Sequence, residues 1–307
     1  MSTEIPRGAV VVGVDGSDHA QRAVRWAADH AAVEDRPLAL LHAAAPPSPL
    51  GTTWLDTMGV DQVMIIEEVT ESSNRLLAEA AATATADRPG LAVHQVLRLC
   101  DPRQALLDAA ADASLIVVGS RGLGAVRGML LGSVGNAVAK HAACPVAVVR
   151  QRDAGGPGAA GVVVGVEGGP ADPAVVELAF RYAASHGLTL TAVHCFWDEV
   201  RVAEGSHDVP DDEPGLDDQR QLLADALRDG REKFPDVSVR AQLTRGFVDD
   251  RLVRASLTAE LVVVGHRRKK LLTELIYGSL APAVVEHAHC SVAVVPSTEP
   301  STGRIHS

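Results

Sequence analysis

Four segments of the first half of this chain return, in the same order, in the second half. AVVVGVDGSDHAQRAVRWAADHA, beginning at Ala9, comes back as GVVVGVEGGPADPAVVELAFRYAASHG, beginning at Gly161. PLALLHA (37–43) returns as LTLTAVHC (188–195), and SLIVVGSRG (114–122) as ELVVVGHRR (260–268). LLGSVGNAVAKHAACPVAVV (130–149) returns as IYGSLAPAVVEHAHCSVAVV (276–295). A period of roughly 150 residues is too long for a solenoid and is the size of a domain, so the chain reads as a duplicated domain. The expected layout is a first domain at 1–150, a Gly-rich linker at 151–160, a second domain at 161–296 and a flexible tail at 297–307.

Within each copy, short Val- and Leu-rich runs alternate with helical patterns. VVVGV is continuously apolar, as expected of a strand covered on both faces. Ser17 is placed to cap a helix in which Ala20, Ala23, Val24, Ala27, Ala28 and Ala31 recur at helical spacing until Pro37 stops it. A longer helix is expected over 60–86 and another over 102–111. Strands alternating with helices imply right-handed crossovers and a parallel, doubly wound α/β sheet, read here as five strands and about four helices per copy.

Charge narrows the partners. A formal net charge of −11 argues against a nucleic-acid backbone or an anionic membrane as the main ligand, which leaves small molecules and proteins. The four cysteines (Cys100, Cys144, Cys195, Cys290) form no close pair, which suits a reducing compartment. MSTEIPRGAVVVGVDG enters a strand within nine residues, without a cationic region and long apolar run, so no signal peptide is expected. No apolar stretch approaches the ~20 residues that span a bilayer. A cytoplasmic protein is the expectation.

The densest chemistry lies in GSRGLGAVRGMLLGS, Gly119 to Ser133, with five glycines in fifteen residues just after an apolar strand. Glycine marks places where main chain bends through positive φ or approaches something closely. The segment runs into SVGNAVAKHA, a helix whose first amides lack intrahelical partners and carry about half a positive charge, a favourable seat for phosphate. The rival reading of Ser133 is that it merely caps its own helix. No Walker loop is present. Gly122-Leu-Gly124-Ala-Val-Arg127-Gly128 is a loosened dinucleotide fingerprint in the wrong place, after the fourth strand rather than the first. Ser120 lacks the spacing of a hydrolase nucleophile elbow.

Gly119-x-x-Gly122, nine residues, then Gly132-Ser133, with an Asp closing the first strand, resembles the ATP-binding signature of the universal stress protein family. The duplicated chain resembles that family's tandem members. The resemblance implies a Rossmann-like, adenine-nucleotide alpha hydrolase-like fold in each copy. It further implies that Asp15, with main chain near Gly13 and Ala43, holds the adenosine end, and that Val118 and Gly119 pass under ribose and phosphates. Arg121, Gly122, Gly132, Ser133, Val134 and Gly135 would surround the triphosphate, with Mg²⁺ arriving on ATP. The chemistry agrees: glycines admit close approach, a serine hydroxyl and helix amides donate to phosphate oxygens, and Arg121 or Arg127 supplies charge. Asp15, being acidic, is expected to meet hydroxyls or a cation.

The second copy departs from that pattern. Glu167 replaces Asp15, Gly168-Gly169 replaces Gly16-Ser17, and Arg268 stands where Gly122 stands, while Gly165, Gly265 and Gly278-Ser279 keep the frame. A side chain where positive φ is required costs roughly 1 kcal/mol or more, so second-site binding is expected to be weaker, altered or absent. His266-Arg267-Arg268-Lys269-Lys270 reads as a solvated basic turn, with phosphate neutralisation as its alternative.

His42 and His194, ending equivalent strands, are expected to be structural, hydrogen-bonded rings, and Cys144 and Cys290 buried small residues. No His/Cys cluster supports a metal. The apolar last strands of the two copies, which make a dimer contact in the family, are expected to pair within one chain as a pseudo-dimer that can dimerise again. HDVPDDEPGLDD (207–218) reads as a solvated loop before a helix. Three functions follow: an ATP-binding stress-response regulator, which leads because no general base is arranged; a slow ATPase or phosphotransferase, in which Asp15 or a nearby carboxylate orients water or metal; and a nucleotide-free interaction scaffold.

Overall fold

The computed structural model describes residues 4–45, 62–122, 131–151, 161–169, 172–196, 207–266 and 280–297. The chain divides into two compact units, Met1–Gln151 and Arg152–Ser307.

In the first unit the elements run β1 (Val10–Gly13), α1 (Asp18–Val33), β2 (Leu38–Ala43), α2 (Gln62–Thr85), β3 (Val93–Arg98), α3 (Pro102–Ala109), β4 (Leu115–Gly119), α4 (Ser133–His141) and β5 (Val146–Val149). The strands form a parallel sheet in the order β3-β2-β1-β4-β5. The chain steps outward from β1 to β2 and β3, then crosses to β4 on the other side of β1. That reversal opens a crevice at the carboxyl ends of β1 and β4, where ligands of open α/β sheets bind.

Burial explains the arrangement. Val10, Val11 and Val12 are completely buried, so β1 is covered on both faces, and each such side chain contributes about 1.5–3 kcal/mol of transfer free energy. Val10, Val12, Leu38 and Leu40 join one apolar cluster with Ala23, Val24, Ala27 and Ala31 of α1 and Leu77 and Ala84 of α2. On the other face Leu106 of α3 lies against Gly13, and α3 packs on α4. Ser17 caps α1, its hydroxyl accepting the amide of Ala20 at 3.2 Å. Val60 lies outside the described residues, and α3 ends two residues before the sequence suggests.

The second unit runs β6 (Val162–Val166), α5 (Asp172–His186), β7 (Leu190–Phe196), β8 (His207–Asp208), α6 (Asp217–Lys233), β9 (Val239–Arg245), α7 (Val248–Ala255), β10 (Leu261–His266), α8 (Leu280–His287) and β11 (Ser291–Pro296). Its order is β11-β10-β6-β7-β9-β8, with β8 antiparallel to β9 and the rest parallel.

Two sequence readings need correction here. This unit has a sixth strand, and the acidic stretch 207–218, though exposed over much of its length and followed by a helix, is tied to the sheet at its start. His207 and Asp208 pair with Arg245 and Thr244, and the last two residues, Asp217 and Asp218, begin α6. The cause is charge. Glu213 accepts two bonds from the Arg245 guanidinium, at 2.9 and 2.8 Å, and Arg245 also lies over the Phe196 ring, 5.3 Å from its centroid. Asp208 accepts from Arg251 Nε at 2.8 Å. Ion pairs thus clip the acidic strap to the edge of β9.

Candidate functional site

The loop leaving β1 is built on one carboxylate. Asp15 Oδ1 accepts the Ser17 amide at 2.9 Å and its hydroxyl at 2.6 Å. Gly16 supplies the positive φ of 83° that this tight turn needs. The other oxygen, Oδ2, faces the loop leaving β4: a side chain begun at Gly122 would put its Cβ 2.5 Å from it. Glycine at 122 is therefore a spatial necessity while Asp15 holds its place.

The loop leaving β4 is pinned at Ser120. Its amide donates to Val149 O at 3.1 Å, its carbonyl accepts from the Gly132 amide at 2.9 Å, and its buried hydroxyl lies 3.2 Å from Nδ1 of His19. The contact with Gly132 carries the chain to the start of α4. There the N-cap is Gly132, with extended backbone and no side-chain hydrogen bond to the helix. Ser133 is the first helical residue and does not cap α4, so the simple capping role is excluded. The neighbouring starts differ: Ser17 caps α1, and Asp101 caps α3 by accepting the Arg103 amide at 2.8 Å. Of α1, α3 and α4, α4 alone starts without a side-chain cap for its first amides.

These loops enclose a cavity of ≈ 350 Å³. Gly13 and Asp15 line it from β1 and its loop, Ala43 from β2, Val118, Gly119, Arg121 and Gly122 from β4 and its loop, and Gly132, Ser133, Val134 and Gly135 from the start of α4. The eleven residues that the family resemblance assigns to the first site thus border one space. Sequence reasoning missed part of its wall: Val14, Ala20, Leu41, Pro102 and Leu106. Pro102 and Leu106 add apolar wall to a cavity that Arg121 and the start of α4 also line. Their position just past β3, at the carboxyl edge of the sheet, was the available signal.

His42 is not in this wall: its Nδ1 lies 2.6 Å from Val14 O, and His194 repeats the contact with Val166 O at 2.9 Å. Both rings brace the turn after the first strand of their unit. Burial raises the Cys144 thiol to about 11 and the Cys195 thiol to about 12, so neither is a thiolate at neutral pH. Among the described residues no group of three or more His, Cys, Asp or Glu side chains could hold a metal ion, and no helix is long and apolar enough to cross a membrane.

The second unit builds its first loop differently. Counting from Ala9 and Gly161, Asp172 falls where Ala20 lines the first cavity. Its carboxylate accepts the amides of Glu167, Gly168 and Gly169 at 3.3, 2.5 and 3.0 Å. Glu167 is exposed, whereas Asp15 is half-buried. Gly165 lies against Leu252 as Gly13 lies against Leu106, and Gly265 sits against Val175. Arg268, Gly278 and Ser279 lie outside the described residues, as do Gly124, Arg127 and Gly128.

A duplicated, mostly parallel α/β chain with an uncapped helix start at a glycine-lined crevice defines a class of two-unit, doubly wound proteins. The sequence model of the Universal stress protein family matches residues 7–150 and again 161–296, so the chain belongs to that family. It is similar to a universal stress protein of Mycobacterium tuberculosis, 34% identical over 96% of this chain and 99% of that one. A universal stress protein of Mycolicibacterium smegmatis is 32% identical over 93% and 96%. Among solved structures, a universal stress protein from Archaeoglobus fulgidus covers 95% of this chain and 100% of its own at a TM-score of 0.68 and 18% identity, a likeness of fold.

Proposed function

We propose that the first unit binds ATP and that the protein is a nucleotide-dependent regulator in stress responses. The observation that carries this reading is the start of α4: amides without a side-chain cap, lining with Arg121 a cavity that also has apolar wall. An anion is what such a helix start takes. The volume lies at the lower end of the roughly 300–1,000 Å³ typical of small-molecule sites. The base would lie against Pro102 and Leu106, and Asp15 Oδ2 would meet ribose hydroxyls. Ser133 and the amides of Val134 and Gly135 would hold phosphate oxygens. Mg²⁺ would arrive on the phosphates.

The test is to titrate the full chain with ATP by calorimetry and to identify small molecules released from gently purified protein. Adenine nucleotide in the purified protein, or saturable ATP binding, is the expected result. Neither, up to millimolar ATP, would leave a nucleotide-free interaction scaffold. Sustained phosphate release that disappears in Asp15→Asn would make the protein a slow ATPase instead.

A further inference from the structure

Gly119 separates two things that sequence alone keeps apart. One side of it lines the cavity; the other is pressed on the first turn of α1, where an added Cβ would come 2.7 Å from the His19 carbonyl carbon and 2.8 Å from its oxygen. His19 is therefore one residue behind the cavity wall. Its ring reaches Ser120, the residue that ties the β4 loop to both β5 and the start of α4.

The charges around this ring are mixed. Arg22 and Asp18 face it from α1, Asp15 from the loop after β1, and Arg121 from the loop after β4. Arg22 Nε is buried with no hydrogen-bond partner among the described residues. Burial first, then Arg22 and Arg121, hold the imidazole below its ordinary value against the opposite pull of Asp18 and Asp15. The ring is thus neutral in the free protein at neutral pH. An anion seated on Arg121 and the α4 amides would cancel part of the positive field that opposes its protonation.

We propose that His19 is a positioning residue that couples anion binding to proton uptake: a polyphosphate in the cavity draws a proton onto the imidazole behind Gly119, and the charged ring then holds Ser120 and the cradle it anchors. The inference rests on the nucleotide reading of the same cavity. Its chemistry balances simply: one proton moves from solvent to the imidazole on binding, and in the charged ring, where both nitrogens carry a proton, Nδ1 donates to the Ser120 hydroxyl. The sign follows. If bound polyphosphate raises the proton affinity of His19, a fall in pH through the imidazole range must tighten polyphosphate binding by the same factor.

The experiment compares the full chain with His19→Gln, which keeps a hydrogen-bonding group near Ser120 but cannot titrate. ATP affinity is measured by calorimetry between about pH 8 and about pH 5.5, either side of the ordinary imidazole value. Titration of ATP itself is common to both proteins and cancels in their ratio. The wild-type affinity should rise about threefold to tenfold more than that of the variant, the size expected for nearby opposite charges at a protein surface. In the wild type, the His19 imidazole resonance should titrate at higher pH with ATP than without, a readout that needs no variant. Parallel pH slopes in two ATP-binding proteins, or an unmoved resonance in the presence of bound ATP, would overturn the coupling and leave the nucleotide reading standing. Absence of ATP binding by the wild type at any pH would overturn the nucleotide reading, and the coupling with it.

Discussion

The loops that leave the first strand of each unit start from nearly the same sequence and reach different ends. In the first unit the turn closes on Asp15, a residue that also lines the cavity and whose second oxygen lies next to Gly122 of the β4 loop. In the second the amides of the turn close on Asp172, a carboxylate from the start of the next helix. One loop presents a carboxylate to a cavity; the other consumes a carboxylate from its own chain. Beyond the loops, the second unit adds β8 and the ion pairs of Arg245 and Arg251, where the described first unit ends at β3. The two units thus share a scaffold and differ in the polar groups at its carboxyl edge, which line a cavity in the first and meet internal partners in the second.

The largest effect should come from breaking the internal wiring. Arg245→Ala leaves Glu213 without the partner of a pair in which the Arg245 side chain is only 6% exposed, and should destabilise the second unit by about 3–5 kcal/mol. Denaturant unfolding, with hydrogen exchange at 207–213 to locate the loss, measures it. A change of a few tenths would mean that the strap adds little, and the contrast between the units would shrink to their loops.

Gly122→Arg gives the first unit the residue that the second carries at 268. With a Cβ forced to 2.5 Å from Asp15 Oδ2 and a long side chain beside the cavity, ATP affinity should fall about 100-fold, equivalent to ~2.8 kcal/mol. Calorimetry decides, and undiminished binding would show that position 122 does not distinguish the units.

The smallest effect belongs to Ser17, whose counterpart is Gly169. Ser17→Ala removes both the α1 cap and the hydroxyl bond to Asp15, and should lower stability by about 1 kcal/mol in thermal or denaturant unfolding. A larger loss would mean that the Asp15 turn, more than the cap, depends on this hydroxyl.

The parallel fold was legible because its signal is local: unbroken Val runs, alanines at helical spacing and a repeated order of segments. The residues around the cavity were legible for a related reason. Gly119 and Gly122 are glycines because other groups lie too close for a side chain, and that constraint shows as composition. The apolar wall was legible only through position, at the carboxyl edge just past β3, since Leu106 obeys the same helical periodicity as any core leucine and nothing in its type marks it as facing a cavity. The strap at 207–213 was misread for the opposite reason. Its acidic residues look solvated until Arg245 and Arg251, more than thirty residues further on, are brought beside them by the sheet. The role of Ser133 turned on one residue of register: with Gly132 at the cap, the serine sits inside the helix.

The two-residue antiparallel β8 has a further effect on how the second unit meets other chains. It occupies the outer main-chain groups of β9 at Thr244 and Arg245, and it is too short to template another strand in its turn. An intruding segment seeking to extend this sheet would have to displace a ribbon fastened by buried charge, so the strap acts as a hem against edge-to-edge aggregation.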